Sequence, residues 1–162
     1  MRPSKEEYYL NIAAQVAGRG TCLRREFGAV IVKNDQIIST GYVGAPRGTK
    51  NCCDFGHCPR ERAGIPPGER YELCRSVHAE ANAIIHANRL DMLESTLYLA
   101  CLNPQTGQFV SGTKPCRMCT RLIINAGIER VIVREEAGRF TEYLVANWVW
   151  EENMNLSEAK GY

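Results

Sequence analysis

In a chain of 162 residues, the string VHAEANAI (residues 77–84) sets His78 and Glu80 two positions apart, and PCRMC (residues 115–119) sets Cys116 and Cys119 three apart. Each pair heads a segment rich in helix formers. For the two pairs to act together, the fold must bring two helix starts to one point, and that demand limits the architecture more than any other feature. Thiolates at i and i+3 in a first helical turn can reach one ion, and His78 can supply a third ligand. The partial positive charge of a helix N-terminus helps hold a thiolate deprotonated. Zinc with three protein ligands keeps a fourth position for water, which is the catalytic rather than the structural pattern. Glu80 then lies beside that water without being a ligand, placed to move its proton.

The surrounding sequence alternates helices with strands. KEEYYLNIAAQVAGRG predicts a first helix that stops at glycine. FGAVIVKNDQIISTGY has two β-branched runs around Asn34-Asp35, a hairpin signal. Residues 44–70 are rich in glycine and proline and have no period, so they predict a long loop, uncommon unless functional or pinned. HAEANAIIHANRL predicts one helix with Ala81, Ile84 and Ile85 on a common face. STLYLACL is then a strand, NPQTGQ a turn, FVSG a short return strand, and CRMCTRLIINAG a helix ended by Gly127. IERVIV predicts the next strand and TEYLVANWVWEENM a terminal helix. This order gives one α/β domain over residues 1–162, a three-layer α/β/α architecture with a central mixed sheet.

Composition narrows the function. A formal net charge of +2 is too small to argue for a nucleic-acid or membrane partner. There is no transmembrane-length apolar run, and MRPSKEEYYLNIAAQ lacks the apolar core of a signal peptide, so the expected location is cytoplasmic. Eight cysteines in such a chain favour metal binding or catalysis over disulfides.

The H-x-E…P-C-x-x-C order, with Pro115 before the first cysteine, is the pattern of zinc-dependent nucleobase deaminases. The chain resembles the deoxycytidylate (dCMP) deaminase family of the cytidine deaminase-like superfamily. The likeness extends to TCLRREFGAVIVKNDQIISTGY, to GAPRG, and to RLIINAGIERVIV. It implies hydrolytic conversion of dCMP to dUMP and ammonia, one catalytic zinc on His78, Cys116 and Cys119, and a homo-oligomer. Glu80 would pass a proton from water to ring atom N3 and later deliver one to the departing amino group.

Some members of the family carry a second, structural zinc. The resemblance places its ligands at Cys22, Cys52 and Cys74, with Cys58 or neighbouring His57 as the fourth; Cys53 is an alternative to Cys52. Cys101 reads as core. The family's phosphate contact includes an arginine just after the first cysteine, which is Arg24 here, and Arg47 in GAPRG is a second candidate. Where the family reads G-Y-N-G this chain reads GYVG, and Val43 cannot hydrogen-bond a sugar through its side chain. His86 reads as a partly buried structural histidine. Trp148 and Trp150 read as core, or as a subunit contact.

Two other readings stand beside dCMP deamination. One keeps the chemistry but changes the substrate to a free nucleoside, another aminated heterocycle or an adenosine in RNA. The other is a non-catalytic, zinc-stabilised module that binds nucleotides or a partner protein. A purely structural metal site has no use for Glu80.

Overall fold

The computed structural model describes residues 1–154. A five-stranded sheet has the order β2-β1-β3-β4-β5, with β1 Glu26–Lys33, β2 Gln36–Tyr42, β3 Thr96–Leu102, β4 Arg130–Glu136 and β5 Arg139–Leu144. β3 and β4 run parallel, and the other neighbouring pairs are antiparallel, so the sheet is mixed as expected. Asn34 and Asp35 both take positive φ, 50° and 62°, the turn geometry that joins β1 to β2 along the sheet's natural twist.

Alternating side chains feed two cores. Val30 and Val32 of β1 point to one face and meet Tyr9, Leu10 and Ala13 of α1 (Lys5–Ala17). Ala29 and Ile31 point to the other face, where α4 (Ala79–Ile85), α6 (Arg117–Ala126) and Val145 of α7 (Val145–Met154) pack. The result is three layers, α/β/α. Two glycines set how closely the helices sit: a Cβ on Gly28 would come within 2.3 Å of the α1 backbone, and one on Gly41 within 2.3 Å of the α4 backbone. α4 is also stitched to β2, with Ser39 Oγ donating to Ala83 O (2.7 Å) and Asn82 Nδ2 to Tyr42 O (2.8 Å).

Several local expectations need correction. Residues 44–70 hold two one-turn helices, α2 (Cys52–Phe55) and α3 (Pro59–Arg62). The helix expected through Leu90 stops at Ile85 and restarts as α5 (Arg89–Met92), because Asn88 caps a new turn by accepting from Leu90 N. The fully buried residues of α4 are Ala79, Glu80 and Ala83; of the expected apolar face, Ile84 is partly buried against the core, Ala81 is half-buried, and Ile85 is 72% exposed. Small residues are selected there because Gly41 lets the backbones touch. The return strand at FVSG reduces to a single bridge between Phe109 and Leu102. The terminal helix begins only at Val145, since residues 139–144 turn back at Gly138 (φ 75°) and pair with β4. His86 is exposed, with Nδ1 2.8 Å from Thr40 O, and Trp150 is exposed while Trp148 packs on the core.

Candidate active site

The bridge between Gly44 and Val77 (Val77 N to Gly44 O, 2.7 Å) anchors the chain just before His78. His78 is the N-cap of α4 and Cys116 the N-cap of α6, both extended in backbone and neither using its side chain to cap. Their donor atoms are therefore free to converge. Cys119 sits one turn into α6 and is fully buried. The Sγ atoms of Cys116 and Cys119 each lie 3.4 Å from His78 Nδ1. Ligands 2.0–2.3 Å from one tetrahedral zinc would be separated by about 3.6 Å between nitrogen and sulfur, so the three donors fit the ion. Among the described residues this is the one His/Cys/Asp/Glu group of three with all ligand atoms within 4.8 Å.

Electrostatics point the same way. A hydrogen bond with Cys119, and then one with His78, pulls the Cys116 thiol down to about 4. Its hydrogen bond with Cys116, together with burial, pushes Cys119 up. Burial lowers His78, but hydrogen bonds to Cys116 and Cys74 outweigh it and raise the imidazole to about 10. The thiolate thus draws positive charge to the centre of the cluster, the place a divalent cation would take. Glu80 is 4% exposed, and burial pushes its carboxyl above the usual carboxylate range against the pull of His78. Its side chain reaches Cys119.

His78, Glu80, Cys116 and Cys74 line a cavity of about 270 Å³. Its remaining wall includes Phe27, Val43 and Tyr71, with Arg24, Arg25, Arg60 and Lys114 as cations. Arg24 and Val43 both border this cavity, Val43 buried and Arg24 Nε paired with Glu61 at 3.0 Å. Arg47 is exposed and borders a separate, larger groove with Arg19 and Gly44, so it does not reach Glu80. Arg60, Tyr71 and Lys114 were not singled out from the sequence. Lys114 adjoins the PCRMC motif, a signal that was available, whereas nothing local marks Arg60 or Tyr71.

The second group of cysteines is looser. Cys22, Cys58 and Cys74 are near enough to Cys52 to oppose its ionisation, but burial is the main cause of its raised pKa. Cys52 Sγ is 4.0 Å from Ser76 Oγ, and Cys74 hydrogen-bonds His78, so its sulfur faces the first site. His57 is engaged with Phe55 O at 3.1 Å and Arg62 at 3.3 Å. Among the described residues these groups do not converge as His78, Cys116 and Cys119 do. Cys101 is buried core, as expected, and Cys53 is exposed.

The chain resembles known proteins over most of its length. It is 38% identical over 141 residues to the deoxycytidylate deaminase of Mycobacterium phage D29, covering 84% of this chain and 98% of that one. It is 34% identical over 131 residues to the deoxycytidylate deaminase of Schizosaccharomyces pombe, covering 81% of this chain but 37% of the yeast protein. The crystal structure of dCMP deaminase from cyanophage S-TIM5 in complex with dCMP and dUMP superposes with a TM-score of 0.57 at 26% identity, over 84% of this chain and 85% of that one. Residues 3–135 match the model of the cytidine and deoxycytidylate deaminase zinc-binding region, and the chain belongs to that family.

Proposed function

We propose that the chain converts dCMP to dUMP, with water consumed and ammonia released. The observation that carries this reading is Glu80, a buried carboxyl two residues from His78 in the wall of a cavity that also exposes His78 and Cys116, two of the three clustered donors. A zinc ion held by His78, Cys116 and Cys119 would supply an acidified water. Glu80 accepts a proton from that water and gives it to ring atom N3, which makes C4 more electrophilic. The water oxygen bonds to C4, and Glu80 takes the second proton from the new C4 hydroxyl and passes it to the amino group; the C4–N bond breaks, ammonia leaves, and the carboxylate is regenerated. Burial suits Glu80 to the task, because a carboxyl disfavoured as an anion takes up a proton readily. Tyr71, edge-on to His78 at 5.2 Å, buttresses the imidazole.

The monophosphate is favoured by the cationic wall, since Arg24, Arg25 and Lys114 all border the cavity and a guanidinium can hold a phosphate by two hydrogen bonds. The D29 and S-TIM5 proteins, by their names, act on the same nucleotide. We further propose a structural zinc on Cys22, Cys52 and Cys74 with Cys58 or His57, a cytoplasmic location, and a homo-oligomer. Mutual proximity of the cysteines supports the second zinc, and the exposed Ile85, Leu90 and Trp150 support self-association. No helix among the described residues is long and apolar enough to cross a membrane.

Ammonia release from dCMP, CMP, deoxycytidine and cytosine side by side tests the activity. Turnover should be highest with dCMP, and no release from any of the four would overturn the reading in favour of a binding module. Elemental analysis tests the metals: two zinc ions per chain are expected. One zinc, unaltered by replacing Cys22, would remove the structural site.

A further inference from the structure

Arg60 is an unusual cavity residue. It is 6% exposed, its Nε is buried without a hydrogen-bond partner, and it has no carboxylate within ion-pairing distance among the described residues. Its Nη2 donates to the carbonyl oxygens of Pro66 (3.3 Å) and Glu69, which fixes the loop around it. Its guanidinium lies 4.6 Å from the centre of the Tyr71 ring, and Tyr71 in turn packs edge-on against His78. Arg60 is thus held rigidly in the wall that contains Glu80.

A buried charge without a counter-charge is costly, and folds keep one only where a partner arrives or the site has a use for it. Arg24 on the same wall is in direct contact with Glu61, whereas Arg60 has no carboxylate in contact and only the longer-range attraction of Glu72. We infer that Arg60 is a phosphate-binding residue of this cavity, its guanidinium charge compensated by the substrate's 5′-phosphate. This rests on the nucleotide reading of the site and adds a residue to it. The cation–π contact with Tyr71, with the two carbonyl hydrogen bonds, restrains the guanidinium, so binding requires little further loss of side-chain freedom. Selectivity follows: a nucleoside of the same base leaves the charge buried and unpaired, whereas a monophosphate neutralises it.

The test is equilibrium binding of dUMP and of deoxyuridine, by calorimetry, to zinc-loaded wild type, Arg60→Gln and Arg60→Lys. Wild type should bind dUMP more tightly than deoxyuridine. In Arg60→Gln the dUMP advantage should shrink at least about tenfold, as expected for losing a charged hydrogen-bonding partner. Arg60→Lys should recover part of it, because the cation returns without the fork. An unchanged ratio in Arg60→Gln, or equal losses for both ligands, would overturn the assignment and leave Arg60 as a loop-holding residue. If Arg60→Gln fails to fold, the ratio in Arg60→Lys decides alone, and no change there also overturns it. A wild type that releases ammonia from cytosine nucleosides but binds dUMP and deoxyuridine equally refutes the role of Arg60 while leaving the deaminase reading intact. Absence of ammonia from every cytosine substrate refutes that reading instead.

Discussion

Replacing Gly41 by alanine should damage catalysis through the backbone alone. The new Cβ would lie 2.3 Å from Ala83 N and 2.5 Å from Ala79 O, both backbone atoms of α4, so no side chain can swing away. Restoring an ordinary 3.4 Å contact requires α4 to move off the sheet by about 1.1 Å. His78 and Glu80 flank Ala79 and must move with it. Overpacking of this kind costs about 2 kcal/mol, or roughly 4–8 °C in Tm for a chain of this size. A misplacement near 1 Å at a reacting group lowers rate by about 100-fold. Gly28→Ala provides the comparison: its Cβ would be 2.3 Å from Ala13 O and Ala17 N, equally tight but against α1 on the opposite face. Both variants should lose similar stability, and only Gly41→Ala should lose most of its kcat/KM. Gly18→Ala, whose Cβ would sit 3.4 Å from Gln15 O, should change stability by less than about 0.5 kcal/mol. Calorimetric Tm and ammonia-release kinetics on the three proteins decide it. Equal activity losses in Gly41→Ala and Gly28→Ala would show that α4 placement is not what tunes the site.

Glu80→Gln should fold and keep its zinc yet lose about 10²- to 10⁴-fold in kcat, since glutamine keeps the shape but carries no transferable proton; near-wild-type turnover would remove the mechanism. Val43→Asn introduces one amide into the cavity wall and should restore one side-chain hydrogen bond to the nucleotide, raising kcat/KM for dCMP by the equivalent of about 0.5–1.5 kcal/mol. A variant that is only impaired, in an enzyme already selective for dCMP, would place sugar recognition elsewhere. Arg134 is fully buried and paired with Glu7 at 2.6 Å, so Glu7→Ala should destabilise by about 3 kcal/mol in urea titration. Glu135 accepts from Gly112 N (2.6 Å) and Thr141 Oγ1 (2.8 Å), which hold its carboxyl below the ordinary value of 4.5. Its folded value lies below its unfolded one, so its stabilisation is fully present above the unfolded value and is lost as pH falls through the folded value. Glu135→Gln should therefore flatten the acid limb of stability below pH 4.5, and an identical acid limb in both proteins would contradict it.

What was legible in the sequence was whatever depends on chemistry at short range. The H-x-E and P-C-x-x-C pairs specify donors and a proton carrier by residue type alone, and Asn34-Asp35 and Gly127 mark turns that only a few residues tolerate. The alternation of Ala29, Val30, Ile31 and Val32 splits between two cores, and so implies helices on both sides of the sheet. Tertiary structure decided the rest. Residues 139–144 alternate weakly and are half exposed, so their strand character comes from hydrogen bonds with β4, a partner not adjacent in period or propensity terms. The inward face of α4 follows from the closeness that Gly41 permits, which no periodicity within α4 can report. Arg60 reads locally as one more surface cation in PRER. Its burial in the cavity wall that Glu80 also lines arises only when Pro66, Glu69 and Tyr71 fold around it, because burial of a charge is a property of the neighbours and not of the residue.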